Sequence, residues 1–352
     1  MGFPVLTVHR NYDDNTATLK QDRFLISKSK DNPDKHDYMW WIPVTFTEAG
    51  GDFDNTKNDI WMSNKEKTKS ISGLPNADQA VIFNIQETGY YRVNYDQKNW
   101  ELIIKQLNED HTKIHVINRA QIIDDAINLA RSGMLSYEIA LGVTSYLGEE
   151  LEYIPWAAAL SGMSYLSRML KRSAAYGAYK KYMRNLVDPL YNRVGYRSEE
   201  GDQPLDVFLR KLAISWACSL GNMDCIDKTR ADFRTWMDSL EPDSIDSNPI
   251  EVDLKSTVYC QAVENGDEKE WDFGWERYQK SNVATEKRDL LGALSCTKEI
   301  WLLNRHVTCD LELFTFPTAV CLQYITGTSI GHSPTDQAFA KQMEEALFPG
   351  LP

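Results

Sequence analysis

The sequence predicts a multidomain protein in which a small all-β sandwich precedes a large all-α solenoid of the HEAT or armadillo type. Two patterns support this fold class. Up to Tyr95, apolar residues alternate with polar ones in short runs such as Val81, Phe83 and Ile85, which is the period of a half-buried strand. Beyond Tyr95 the apolar spacing becomes three and four residues, the period of an amphipathic helix. The predicted boundary between the two folds therefore follows Tyr95.

The predicted β-sandwich domain spans residues 1–95. Turn residues such as Asp13-Asp14-Asn15 separate its strands, and a charged loop at 28–37 carries Asn32-Pro33. We expect strands at 4–12, 17–26, 40–47, 59–62, 69–74, 81–85 and 90–95. Several short strands within about ninety residues are typical of a small sandwich.

The predicted helical domain spans residues 96–305. In its first long helix, Ile123 and Ile127 recur at helical spacing and Gly133 follows as a stop. Ser136 is placed to cap the next helix. Further helices are expected at 153–168, 172–194, 203–220, 224–239, 250–264, 268–280 and 284–304. Helices of this length stack in pairs in solenoids, although no sequence motif repeats here.

Composition and charge exclude several classes of function. The net charge of -13 argues against a nucleic-acid partner, because phosphate contacts need clustered Lys and Arg on one face. A local basic cluster at 168–184 is interpreted as a solvated helix face. No run of about 18 apolar residues occurs, so we expect no transmembrane segment. We also expect no signal peptide and no lipid anchor in this chain.

Candidate catalytic residues are few. His111 and His115 stand four apart and would share one face of a helix, as zinc requires, but Thr112 occupies the position of a general base. A solvated pair in a loop is favoured over a metal site. In Asp124-Asp125, adjacent side chains point about 100° apart, so they form no carboxylate dyad. One is expected to face solvent and the other to hold an arginine such as Arg119. The sequence thus predicts no catalytic residue and no metal ligand.

The cysteines allow two interpretations. None forms a Cys-x-x-Cys motif, so a zinc ribbon is not expected. The cysteines are Cys218, Cys225, Cys260, Cys296, Cys309 and Cys321. Composition favours buried free thiols, whereas the spacing of Cys218 and Cys225 suits a disulfide across a helix-turn-helix corner.

Several motifs resemble the C-terminal half of the M1 family of zinc aminopeptidases, of the aminopeptidase N type. The longest are Gly-Tyr-Tyr-Arg-Val-Asn-Tyr-Asp at 89–96 and Asn-Arg-Ala-Gln-Ile-Ile-Asp-Asp-Ala at 118–126. Further matches are Gly-Phe-Pro-Val at 2–5, Asn99-Trp100, Tyr-Ile-Pro-Trp at 153–156, Trp-Asp-Phe-Gly-Trp at 271–275 and Lys-Glu-Ile-Trp-Leu-Leu-Asn-Arg at 298–305. They follow the order of the family over about residues 2–305.

The resemblance implies a role without chemistry of its own. In the family, a zinc domain carrying His-Glu-x-x-His precedes a small β-sandwich and a helical domain that lids the active site. Zinc is then the cofactor of the full-length family, and none is expected in this chain. The expected partners are the aminopeptidase catalytic domain and, through the full-length enzyme, its peptide substrate. The chain would cap that domain and shape the peptide channel. The alternative is a free-standing helical module that binds peptide or protein, or a decoy regulator of an intact aminopeptidase.

The resemblance also assigns residues. It implies the disulfides Cys218–Cys225 and Cys260–Cys296, and hence an extracellular or plasma-membrane surface location, and it leaves Cys309 and Cys321 unassigned. A structural role in pinning sandwich to solenoid is implied for Gly89, Tyr90, Tyr91, Arg92, Asn94 and Tyr95. After Arg305 the family pattern ends, so the solenoid is expected to be incomplete and residues 306–352 to form a divergent tail.

Overall fold

The computed structural model describes residues 2–27, 36–239 and 248–305. It divides into two compact units, the first ending at Tyr182 and the second beginning at Met183. The domain boundary that the sequence predicts after Tyr95 falls within the first unit and stays a prediction. The tail at 306–352, with Cys309 and Cys321, lies outside the described residues, as does most of the predicted loop at 28–37.

The described residues before Tyr95 form eight strands in three sheets. These are β1 (Phe3–Asn11), β2 (Thr16–Phe24), β3 (Ile42–Val44), β4 (Phe46–Glu48), β5 (Ile60–Met62), β6 (Thr68–Ser72), β7 (Val81–Phe83) and β8 (Arg92–Tyr95). The largest sheet has the order β6-β2-β1-β8, with β1 antiparallel to β2 and parallel to β8. Strands β3 and β5 pair antiparallel, as do β4 and β7.

One face of the largest sheet carries a group of buried apolar side chains. Leu6 and Val8 of β1 share this face with Leu19 of β2 and with Val93 and Tyr95 of β8. Alternation along each strand places these residues together, as the period of two in the sequence predicts. The apolar core of the strand region therefore lies on this face.

The predicted strand at 40–47 is wrong as a single element. Thr45 separates β3 from β4, and the two strands pair with different partners. The carbonyl of Thr45 accepts a hydrogen bond from the backbone N–H of Asn84 at 2.9 Å, and its hydroxyl accepts one from that of Ile85 at 2.9 Å. Because Thr45 bonds to the segment after β7, the pairing of β3 with β5 ends at Val44.

Helices follow the strands, as the sequence predicts. They are α1 (Gln97–Asp110), α2 (Val116–Arg131), α3 (Tyr137–Thr144), α4 (Tyr153–Leu170), α5 (Tyr176–Val194), α6 (Pro204–Leu220), α7 (Met223–Met237), α8 (Lys255–Asn265), α9 (Glu268–Lys280) and α10 (Ala284–Leu294). Residues 300–305 are also helical. Gly133 follows α2 with a φ of 75°, and the Ser136 hydroxyl accepts a hydrogen bond from the Ile139 N–H at 3.3 Å at the start of α3. The order of a strand region before a helical one is confirmed.

The predicted helix at 284–304 is wrong in its length. Helix α10 ends at Leu294, and the Cys296 N–H donates to the Ala293 carbonyl at 2.9 Å in a turn. A disulfide bond joins Cys296 to Cys260 in α8, and this bond holds the turn in place. Within the described residues, no helix has the length and apolar character needed to cross a membrane.

Candidate functional site: the strand-to-helix junction

Arg92 begins β8 and holds α2 against the edge of the largest sheet. Its Nη1 donates to Asp124 Oδ2 at 2.6 Å and to Asp125 Oδ1 at 2.9 Å. The other oxygen of Asp125 accepts a hydrogen bond from the backbone N–H of Val93 at 2.9 Å. Strand β8 lies at the sheet edge, so this carboxylate occupies the place that a neighbouring strand would take. The predicted motif residue Arg92 thus joins strand to helix.

The two adjacent carboxylates differ in environment. The side chain of Asp125 is 6% exposed and that of Asp124 is 42% exposed. Burial raises the pKa of Asp125, while Arg92 and the Val93 N–H oppose that rise by stabilising the charged form. The sequence-based expectation that one of the pair faces solvent more than the other agrees with these exposures.

The expected pairing of Asp124 or Asp125 with Arg119 is wrong. Arg119 instead donates from Nε to Glu150 Oε2 at 2.7 Å and from Nη2 to Glu150 Oε1 at 3.1 Å, and both side chains are buried. Five or six residues along a helix correspond to rotations of about 140° and 240°, so Arg119 points away from both aspartates. The sequence motif contained the arginine, but its partner lies 31 residues away in the chain.

Asn84 organises the turn that leads into the motif. Its φ of 62° is left-handed, a conformation that asparagine tolerates better than most residues. Its side-chain Nδ2 donates to the Gly89 carbonyl at 2.9 Å, and its Oδ1 accepts from the Gly89 N–H at 2.8 Å. A Cβ at Gly89 would lie 2.8 Å from Cδ1 of Tyr91, so the close approach of Tyr91 requires glycine. Asn84 was not among the predicted site residues.

Asn94 and Tyr95 connect β8 to neighbouring elements. Asn94 Oδ1 accepts a hydrogen bond from Trp100 Nε1 in α1 at 3.1 Å. The Tyr95 hydroxyl accepts one from the backbone N–H of Phe83 in β7 at 3.0 Å, and its ring meets that of Trp100 edge-on with centroids 5.0 Å apart. These two motif residues thus bind strand β8 to a helix on one side and to a strand on the other.

A second asparagine ties α2 to the same turn. Asn118 Nδ2 donates to the Asn84 carbonyl at 3.0 Å, and Asn118 Oδ1 accepts from the Gln86 N–H at 2.8 Å. Asn118 belongs to the second sequence motif, but spacing alone did not indicate its partner. Together these contacts define the junction, formed by residues 84–95 and the facing side of α2.

The two histidines do not share a helix face. His111 lies in a 3-10 turn beside Tyr146, with ring centroids 5.3 Å apart. His115 caps α2, accepting the Ile117 N–H at 3.3 Å, and stacks on Phe53 with centroids 6.2 Å apart. Across residues 2–27, 36–239 and 248–305, no three His, Cys, Asp or Glu side chains are grouped to hold a metal ion.

The structure joins both cysteine pairs that the resemblance implies. Cys218 in α6 is bonded to Cys225 in α7 across a tight corner, where Gly221 has a φ of 89°. Cys260 in α8 is bonded to Cys296 in the turn after α10, across 36 residues of sequence. The interpretation as buried free thiols, which composition favoured, is wrong for these four residues.

The polar side chains of the junction bind one segment of the chain to another. Their carboxylates, amides and guanidinium group are hydrogen-bond partners of one another, and most are buried. Nε of Arg92 is buried without a hydrogen-bond partner, but the other contacts restrict the geometry, because each lost partner would leave a further unpaired group in a low-dielectric interior. The arrangement therefore fixes helices α1 and α2 on the strands.

Comparison with known proteins agrees with the motifs. The family model described as ERAP1-like C-terminal domain matches residues 80–316. Aminopeptidase N of Homo sapiens is 38% identical over 336 residues, covering 94% of this chain and 33% of that protein. Aminopeptidase N of Rattus norvegicus is 38% identical over 318 residues, covering 89% and 31%. Aminopeptidase Ey of Gallus gallus is 35% identical over 336 residues, covering 93% and 32%.

The extent of these matches decides what can be assigned. The chain spans about a third of the length of these relatives. The family model covers well over half of the chain and includes strand β7, the whole of residues 84–95 with strand β8, and the helices that follow. The chain therefore belongs to the ERAP1-like C-terminal domain family and corresponds to the C-terminal part of an M1 aminopeptidase.

Proposed function

We propose that this chain is the non-catalytic C-terminal part of a zinc aminopeptidase that removes N-terminal residues from peptides. Its role is to cap the catalytic domain and to shape the channel by which peptides reach it. The observation that carries this proposal is the junction, at which the family motif residue Arg92 fixes α2 on β8. A cap needs such rigidity, because a channel wall must keep its position while peptides pass.

The described residues do not fit a zinc site. Catalytic zinc takes three protein ligands and keeps one position for water. His111 and His115 have ring and cap contacts of their own, and no acidic third ligand stands beside them among the described residues. We therefore place the zinc and its chemistry in the preceding part of the aminopeptidase.

An extracellular or cell-surface location is part of the proposal. Disulfides persist in oxidising compartments and are rare in the cytosol. The two disulfides of the helical region support this location. Blocking of free thiols in the protein as secreted from cells, followed by mass spectrometry, should leave Cys218, Cys225, Cys260 and Cys296 unmodified. Modification of all four would contradict the location.

Activity assays test the proposed role. The purified chain supplied with zinc should not hydrolyse an amino-acid anilide. A full-length chain in which this protein replaces the matching third of human aminopeptidase N, hereafter the replaced enzyme, should hydrolyse it. Clear zinc-dependent turnover by the isolated chain, or a folded replaced enzyme without activity, would contradict the proposal. Inhibition of intact aminopeptidase N by the added isolated chain would instead support the decoy role.

A further inference from the structure

Tyr90 differs from its neighbours in the junction motif. It is 84% exposed, whereas Gly89, Tyr91, Asn94 and Tyr95 are buried. The buried members bond within the sheet or to α1, α2 and the turn, as described above. A large exposed aromatic ring beside a rigid buried network has the properties of a binding anchor, because tyrosine buries much area with little loss of conformational freedom.

The ring of Tyr90 packs on the ring of Phe3. Its centroid lies 5.2 Å from that of Phe3, and Phe3 lies 5.3 Å from Phe24, its partner across β1 and β2. The guanidinium of Arg92 lies over both phenylalanine rings, 5.6 Å from Phe3 and 5.0 Å from Phe24. A continuous series of contacts thus runs from Tyr90 through Phe3 to Arg92, and from there to the aspartates of α2. Docking on a braced ring costs less entropy than docking on a mobile one.

The position of Phe3 indicates what would cover this ring. Phe3 is the first residue of β1, and two residues of extended chain reach only about 7 Å. In an aminopeptidase of the relatives' length, this segment accounts for about a third, and as the C-terminal part it is preceded by other polypeptide. In such an aminopeptidase that polypeptide would reach β1 beside Tyr90, because Phe3 lies next to that ring.

We propose that the face formed by Phe3 and Tyr90 is a docking anchor for the folded part of the aminopeptidase that precedes Phe3. The inference rests on the proposed function. The complementary surface is an apolar hollow with a hydrogen-bond acceptor for the phenol hydroxyl, since a buried tyrosine needs both. Tyr90 is linked through Phe3 and Arg92 to α2. Docking at Tyr90 therefore fixes the position of the preceding part relative to the first helices.

Hydroxyl-radical footprinting of the isolated chain and of the replaced enzyme tests the anchor. On passing from 84% exposure to a buried state, Tyr90 should be oxidised about tenfold more slowly in the replaced enzyme. Tyr12, which follows the opposite end of β1, serves as the internal reference and should be oxidised at the same rate in both. Equal oxidation of Tyr90 in a replaced enzyme that hydrolyses the anilide would overturn the anchor and leave the proposed function intact. Protection of Tyr90 in an inactive replaced enzyme would support the anchor and contradict the proposed function.

Substitution separates docking from a structural role. Tyr90→Ser should lower the Tm of the replaced enzyme and leave that of the isolated chain unchanged, because the ring is exposed there. Val252→Ser is the matched control, since Val252 is 81% exposed in the second unit and should change neither Tm. An equal loss of Tm in both chains would overturn the proposal. Protection of Tyr90 that grows with the concentration of the isolated chain would also overturn it, by assigning the face to a second copy of this chain.

Discussion

Polar contacts join distant segments in both compact units, and among the described residues the second unit adds disulfide bonds to them. In the first, β8 and α2 are linked through Arg92 and two aspartates that follow it by 32 and 33 residues, with no covalent bond between them. In the second, α8 and the turn after α10 are linked by a disulfide across 36 residues. Aromatic packing supports the second unit, where Trp236 and Phe273 meet edge-on with centroids 4.9 Å apart.

The difference shows how each unit should fail. A buried polar network depends on every member, because removing one leaves its partner unsatisfied at a cost of about 1–3 kcal/mol, or more for a charge. A disulfide depends on redox conditions and stabilises mainly by restricting the unfolded chain. The first unit should therefore be sensitive to single polar substitutions, and the second to reductant.

The largest effect is expected at the buried ion pair of the first unit. Glu150→Ala removes a carboxylate that accepts from Arg119, from the Tyr146 hydroxyl and from the backbone N–H groups of Leu151 and Glu152. Breaking a buried pair should lower the free energy of unfolding by about 3–5 kcal/mol, measured by urea denaturation. Glu109→Ala, which removes an exposed partner 3.8 Å from Lys105, should cost less than about 1 kcal/mol. Similar losses in the free energy of unfolding at both positions would contradict the expectation that the buried ion pair stabilises the protein more than the exposed one.

The two disulfides should differ from each other. Replacing Cys260 and Cys296 by alanine opens a loop of 36 residues and should destabilise by about 4 kcal/mol, whereas replacing Cys218 and Cys225 opens one of seven and should cost about 2.5 kcal/mol. Thermal unfolding with and without dithiothreitol measures both. Reductant should have no further effect on a variant lacking all four cysteines. A greater loss at the shorter loop would contradict the entropic account.

The turn before the motif should show an intermediate effect. Asn84→Ala removes the side chain that bonds both backbone groups of Gly89 and leaves alanine in a left-handed conformation. We expect a loss of about 2–3 kcal/mol. Asn84→Gly separates the two causes, because it relieves the backbone conformation but not the lost hydrogen bonds. Full recovery of stability with glycine would show that the hydrogen bonds contribute little.

The smallest effect is expected at the exposed half of the aspartate pair. Asp124→Ala should cost less than about 1 kcal/mol, because its side chain is 42% exposed and solvent screens its attraction to Arg92. Asp125→Ala should cost about 3 kcal/mol, since it leaves Arg92 and the Val93 N–H without their buried partner. Equal losses would mean that Arg92, rather than burial of its partner, determines the stability of the junction.

Much of the order of elements followed from local pattern, and the errors have physical causes. Gly133 and Ser136 mark the end of α2 and the start of α3 because a left-handed φ and an N-cap are local requirements. The strand expected at 40–47 is two strands, since Thr45 bonds to Asn84 and Ile85, which are about 40 residues away in the chain. The predicted partner of Arg119 is wrong for a similar reason, because Glu150 lies outside the helix that carries Arg119.

Local sequence patterns are enough to predict the succession of strands and helices, the family and, through the resemblance, the two cysteine pairs. These depend on periodicity, capping residues and motif order, which are properties of neighbouring residues. Tertiary contacts were needed to show that Asp125 caps an edge strand, that Asn84 and Asn118 hold the turn, and that Tyr90 alone among its motif neighbours is strongly exposed. Hydrogen-bond partners and burial are set by residues far apart in the chain, and periodicity carries no information about which of them meet.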